Sequence, residues 1–137
     1  MPPEHDEVLA WIEKAEHDRR TAAAALDQDP PITDTAAFHC QQAAEKYLKA
    51  FLVSRGNLPP RTHDLRLLAV ECAKHDSRFA RLVDRVAPLT AYAVRFRYPG
   101  VAEPSLASVQ AAQETVRIVR DVVRAALGIH DEENHED

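Results

Sequence analysis

The sequence predicts an all-α fold, an antiparallel up-and-down four-helix bundle with a short additional helix. Three observations predict it. Glycine is scarce, with 3 among 137 residues, whereas strand-rich chains need it at their turns. Each glycine stands where a helix should stop: Gly56 after a run ending near Arg55, Gly100 in a Pro-Gly turn, and Gly128 after a run ending near Leu127. Apolar residues recur three and four positions apart over long runs, which is the helical period.

The first helix is expected from about Asp6 to Leu26, burying Trp11, Ala15 and Ala22, and the second from about Asp34 to Arg55 after Pro30-Pro31. A short third helix follows Pro59-Pro60. Its expected N-cap is Thr62, with Asp64 in the first turn, where both suit the helix dipole; Leu65, Leu68, Ala69 and Cys72 form its apolar side. The fourth helix is expected to open at Ser77 and run through Phe79, Leu82, Val83, Val86, Leu89 and Ala93, kinked or broken at Pro88. The last runs from about Pro104 to Leu127 on a stripe of Val109, Ala112, Val116, Val119, Val123 and Leu127. Pro104 is placed in its first turn, where a missing N–H costs nothing. Residues 1–129 thus form one helical domain, and residues 130–137 are expected to be an acidic, disordered tail.

Composition narrows the function. No N-terminal apolar run with basic flanks occurs, and no long uncharged stretch, so a soluble chain without membrane contact is expected. Cys40 and Cys72 both fall inside apolar helical patterns, as reduced core thiols of a cytoplasmic protein do. The net charge of −5 conceals a division: residues 55–97 carry +5 between two flanks of −5 each. A basic segment in an acidic chain can face a phosphate-bearing ligand, or simply neutralise neighbouring helices. Arg78, Arg81 and Arg85 form a basic stripe on the fourth helix, expected to be a solvated face.

The second helix breaks its own pattern. Its apolar arc is Ala37, Phe38, Ala44, Tyr47, Leu48, Phe51 and Leu52, yet Gln41 and Glu45 project within it and Lys49 lies at its edge. Asp18 repeats the anomaly on the first helix. Buried charge without partners costs several kcal/mol, on the order of the whole stability margin of a domain. Asp18, Gln41, Glu45 and Lys49 have signs that allow them to satisfy one another. They form either an internal network that fixes helix register or the lining of a cleft or dimer seam.

A second concentration of chemistry lies on the loops, in Thr62-His63-Asp64-Leu65 and in Arg95-Phe96-Arg97-Tyr98-Pro99-Gly100. An imidazole at a helix start, and arginines beside a tyrosine, suit an anion or a stacked base. No glycine-rich phosphate loop and no Gly-x-Ser-x-Gly elbow occurs. His-x-x-x-His and Cys-x-x-Cys spacings are missing too, so no metal site and no cofactor are expected.

These residues resemble the HEPN family (higher eukaryotes and prokaryotes nucleotide-binding) in its small prokaryotic stand-alone form. The resemblance is carried by Ala15-x-x-Asp18, by Phe38-His39-Cys40-Gln41-Gln42-Ala43-Ala44-Glu45-Lys46-Tyr47-Leu48-Lys49-Ala50, by Thr62-His63-Asp64-Leu65 and by Arg97-Tyr98-Pro99, in that order across roughly residues 7–125. It implies a helical bundle that dimerises with a polar cleft near the dimer interface. It further implies a minimal nucleotidyltransferase as partner, in a toxin–antitoxin-like pair, and a nucleotide or RNA as ligand.

Other members of the family are metal-independent ribonucleases that use Arg-x(4–6)-His near the start of the last helix. Here Arg97 is followed by no histidine until His130, and the one formal match, Arg124 with His130, is fewer than the about two that chance gives. The expected role is therefore binding rather than catalysis. Ligand contact is assigned to Arg97, Tyr98, His63, Lys49 and Gln41, with Asp18 and Glu45 as the supporting polar network. The alternatives are a ribonuclease with a rearranged Arg97/His63 site, and a structural dimer without a ligand.

Overall fold

The second helix is the element on which the others pack, and its sequence explains why. Alanines at 36, 37, 43, 44 and 50 keep it slim enough for neighbours to approach on several sides, and all five are buried. The computed structural model describes residues 3–94 and 98–129, with side chains from His5 onward. Among the described residues, five α-helices span α1 Pro3–Leu26, α2 Thr33–Ser54, α3 Leu65–Ala73, α4 Val83–Val86 and α5 Leu106–Leu127. No strand occurs among the described residues.

α1 and α2 run antiparallel: Trp11 meets Lys49, Glu16 meets Tyr47, and Asp18 meets His39, so numbers rise along one helix as they fall along the other. Val8, Ile12, Ala15, Ala22 and Ala25 face α2. Trp11, expected in the buried set, is only partly covered and lies at the margin beneath the Lys49 ammonium. α5 packs on a further side of α2 with Val109, Ala112, Val116, Val119 and Val123, whereas Leu127 at its end is half-buried.

The expected fourth long helix does not form. In its place come a 3-10 helix, Ser77–Leu82, the single turn of α4, and a second 3-10 helix, Ala87–Ala93. The described residues thus carry three long α-helices rather than four. Pro88 sits at the start of the second 3-10 helix and cannot donate to a preceding carbonyl, which prevents a continuous α-helix. The apolar residues nevertheless land as the pattern requires: Phe79, Leu82, Val86, Leu89 and Ala93 are buried. Steps of three and four residues keep one face inward whether the turn holds 3.0 or 3.6 residues.

Helix ends follow from local chemistry. Asp64, not Thr62, is the N-cap of α3: its carboxylate accepts the Leu67 N–H at 3.2 Å, while Thr62 Oγ1 accepts the Asp64 N–H at 3.1 Å. A carboxylate is the stronger acceptor, and the threonine braces the turn before it. Ser105 caps α5 by accepting the Ser108 N–H, so Pro104 precedes the helix instead of entering its first turn. Gly128 closes α5 at φ 74 and Gly56 follows α2 at φ 81, both in the left-handed region. The sequence expectation for residues 130–137 lies outside the described residues.

Candidate functional site

Asp18, Gln41, Glu45 and Lys49 are all buried, with 7, 0, 4 and 8 % of their surface exposed. Successive turns of α2 stack the last three on one side, since residues four apart on a helix are neighbours. Gln41 donates both amide hydrogens, to Glu45 Oε1 at 3.0 Å and to the His63 carbonyl at 3.1 Å, and its own oxygen accepts from Gln42. Lys49 Nζ donates to Glu45 Oε2 at 2.9 Å and stands 5.8 Å from the Trp11 ring centroid.

His63 enters from the loop before α3, where the Asp64 cap fixes the backbone, and its Nδ1 lies 2.8 Å from Glu45 Oε1. Burial by itself raises the pKa of Glu45, but hydrogen bonds from His63, Lys49 and Gln41 outweigh it and hold the carboxyl below its ordinary range. Glu45 is thus a buried anion with both oxygens engaged.

The consequence lies at His63. Its side chain is 66 % exposed although its anchor is 6 % exposed. With Nδ1 turned to the carboxylate, Nε2 is left for whatever approaches from solvent. A carboxylate that orients an imidazole in this way fixes its tautomer, an arrangement suited to hydrogen-bonding a ligand or to proton transfer.

Asp18 does not join this cluster. Its partners are His39, with Nδ1 at 2.7 Å from Oδ1, and Lys46, with Nζ at 2.6 Å from Oδ2. The expected four-residue network therefore divides into two, because His39 and Lys46 project roughly 100–160° around α2 from Gln41 and Glu45 and meet α1 first. Neither His39 nor Lys46 was singled out from the sequence. Their signal was present, seven residues apart and so on one face, but it becomes legible only once the antiparallel register brings Asp18 opposite them.

A third cluster also depends on that register. Glu16 receives the Tyr47 hydroxyl, Arg120 Nε at 2.6 Å and Arg19 Nη2 at 2.8 Å, which ties α1, α2 and α5 together. Burial opposes its ionisation, yet the three donors prevail and bring the Glu16 pKa down to about 2.

Of the remaining residues assigned to the site, Tyr98 is 65 % exposed, and its carbonyl accepts the Val101 N–H in a turn. It makes no hydrogen bond to the Glu45 cluster. Arg97, with Arg95 and Phe96, lies outside the described residues. No buried side-chain nitrogen or oxygen lacks a hydrogen-bond partner among the described residues, and no group of three His, Cys, Asp or Glu that could hold a metal ion gathers among them. No helix is long and apolar enough to cross a membrane, again among the described residues.

The fold and site are thus those of an all-helical domain in which a buried carboxylate on the central helix anchors an exposed imidazole. A model of the HEPN domain matches residues 8–130. The chain belongs to the HEPN domain family. Neither a curated protein nor a solved structure gives a significant match to it.

Proposed function

We propose that this chain is a nucleotide- or RNA-binding HEPN module. It acts as a homodimer with a minimal nucleotidyltransferase in a toxin–antitoxin-like pair, in a reducing cytoplasm that keeps Cys40 and Cys72 as thiols. One observation carries the reading: Glu45, 4 % exposed, spends both oxygens on holding His63, Lys49 and Gln41 in place. A network needed only for register would have no reason to end on an imidazole that is two-thirds solvent-exposed. In this reading His63 and Lys49 contact the anionic ligand, Gln41 positions the His63 backbone, and Arg97 and Tyr98 contribute a guanidinium and a stacking ring. Asp18 and Glu45 orient the basic groups and do not touch the ligand.

The second reading is a metal-independent ribonuclease in which Arg97 stabilises the phosphodiester transition state and His63 moves the proton. The Glu45–His63 pair favours it, since such a pair serves general acid–base catalysis as readily as binding. Incubating the pure protein with labelled RNA, beside an Arg97→Ala control, decides between the two. Retention of intact RNA by the wild type supports binding. Cleavage by the wild type and none by the variant establishes the nuclease. Binding neither RNA nor any nucleotide at millimolar concentration leaves a structural dimer. Light scattering at micromolar concentration reports twice the 15.3 kDa chain mass if the homodimer forms.

A further inference from the structure

The arginines at 78, 81 and 85, read from the sequence as one solvated stripe, have different fates in the structure. Arg78 turns back onto Asp76, bonding it through Nε and Nη2 at 2.8–3.3 Å. Arg81 and Arg85 do not. With Leu82, they form one wall of a groove of about 350 Å³ whose other wall is Arg117, Ile118 and Asp121 of α5. Arg117 is neutralised by Glu114 and Asp121. Neither Arg81 nor Arg85 has an ion pair or side-chain hydrogen bond among the described residues, although Glu114 lies within electrostatic reach of Arg85. Two guanidiniums one turn apart on a single wall repel each other, and an anion seated between them relieves that repulsion.

The geometry points to a phosphate-binding groove between the Ser77–Val86 segment and α5, in which Arg81 and Arg85 grip phosphate oxygens while the half-buried Ile118 carries the apolar edge of the ligand and the fully buried Leu82 forms the floor. Guanidinium forks match phosphate oxygens bidentately. An apolar side chain beside them, Ile118, suits a sugar–phosphate strand, whose phosphates alternate with carbon-rich sugars. The Ser77–Val86 segment carries three arginines against one aspartate in a chain of net −5, so a polyanion is drawn to it. The phosphates come either from an RNA strand, which rests on the function proposed above, or from a free oligophosphate, which does not.

The test uses the full chain and the double variant Arg81→Gln/Arg85→Gln. Both side chains are exposed, and matching thermal unfolding curves confirm that the fold is intact. Calorimetric titration with tripolyphosphate at low salt is expected to show binding by the wild type and at least a tenfold loss in the variant. Anisotropy of a labelled single-stranded RNA across salt concentrations separates the sources. If RNA supplies the phosphates, the variant's plot of log affinity against log salt is shallower by about 1.4, at about 0.7 for each lost phosphate contact. An unchanged slope together with tripolyphosphate binding assigns the groove to a free oligophosphate.

The proposal is overturned if the wild type binds no tripolyphosphate, or if the variant binds it equally well. His63→Ala distinguishes this groove from the Glu45 site. A failure of the site reading leaves RNA affinity unmoved by that change while the arginine pair still matters, and a failure of the groove gives the reverse.

Discussion

Replacing Glu16 with glutamine removes the negative charge on which Tyr47, Arg120 and Arg19 converge. A carboxyl whose pKa falls from 4.5 to about 2 on folding contributes about 3 kcal/mol to stability at neutral pH, and about 2 after allowance for partial exposure. The folded-state pKa lies below the unfolded one. The contribution is therefore complete above about pH 4.5 and drains away as the pH falls towards 2. Urea unfolding of wild type and Glu16→Gln at pH 7 should differ by about 2 kcal/mol, and the difference should shrink by roughly half at pH 3. A pH-7 difference under about 0.5 kcal/mol, or one that is the same at both pH values, refutes the assignment of Glu16 as the ionic tie between α1, α2 and α5.

Further consequences are equally measurable. Asp18→Asn strips Lys46 and His39 of their buried anchor and should cost about 1–2 kcal/mol in urea unfolding, less than a fully buried pair because both partners are partly exposed. Burial pushes the Cys40 thiol up to about 12 and the Cys72 thiol higher still. Ellman's reagent at pH 8 should leave both untouched in the native protein and titrate both in urea. Gly56→Ala forces a Cβ into φ 81, where space is open but the backbone is strained, and should lower stability by about 1 kcal/mol. Asp64→Ala removes the α3 cap for about 1 kcal/mol and loosens the loop carrying His63, so thermal stability and ligand affinity should fall together.

What the sequence revealed and what it hid divide along one line. Features set within a single element were legible. Gly56 and Gly128 ended helices, the valines of α5 faced inward, and the polar side chains at 41, 45 and 49 could be placed on the buried side of α2 from the 100° repeat alone. The HEPN resemblance was legible from contiguous strings for the same reason. Features that depend on how two elements pair were not. The hydrogen bonds of Asp18 to His39 and Lys46, and of Glu16 to Tyr47 and Arg120, require the register between helices, which no local pattern specifies. The broken fourth helix lies between these cases. Pro88 announced an interruption, but the periodicity of Phe79, Leu82, Val86 and Leu89 reads alike for α and 3-10 turns, so the segment looked longer and more regular than it is. The α3 cap lies two residues beyond Thr62, at Asp64, because it is the Asp64 carboxylate that reaches the N–H of Leu67.

The most direct measurement is the anisotropy of a labelled single-stranded RNA titrated with wild type and with His63→Ala, beside thermal unfolding of both. If Glu45 exists to present His63 to a ligand, the variant unfolds within about 2 °C of wild type, because the ring is mostly in solvent. It then binds at least tenfold more weakly, about 1.4 kcal/mol. Equal affinity of the two proteins, or a variant that loses stability and keeps its affinity, would show that the buried cluster only braces the helices.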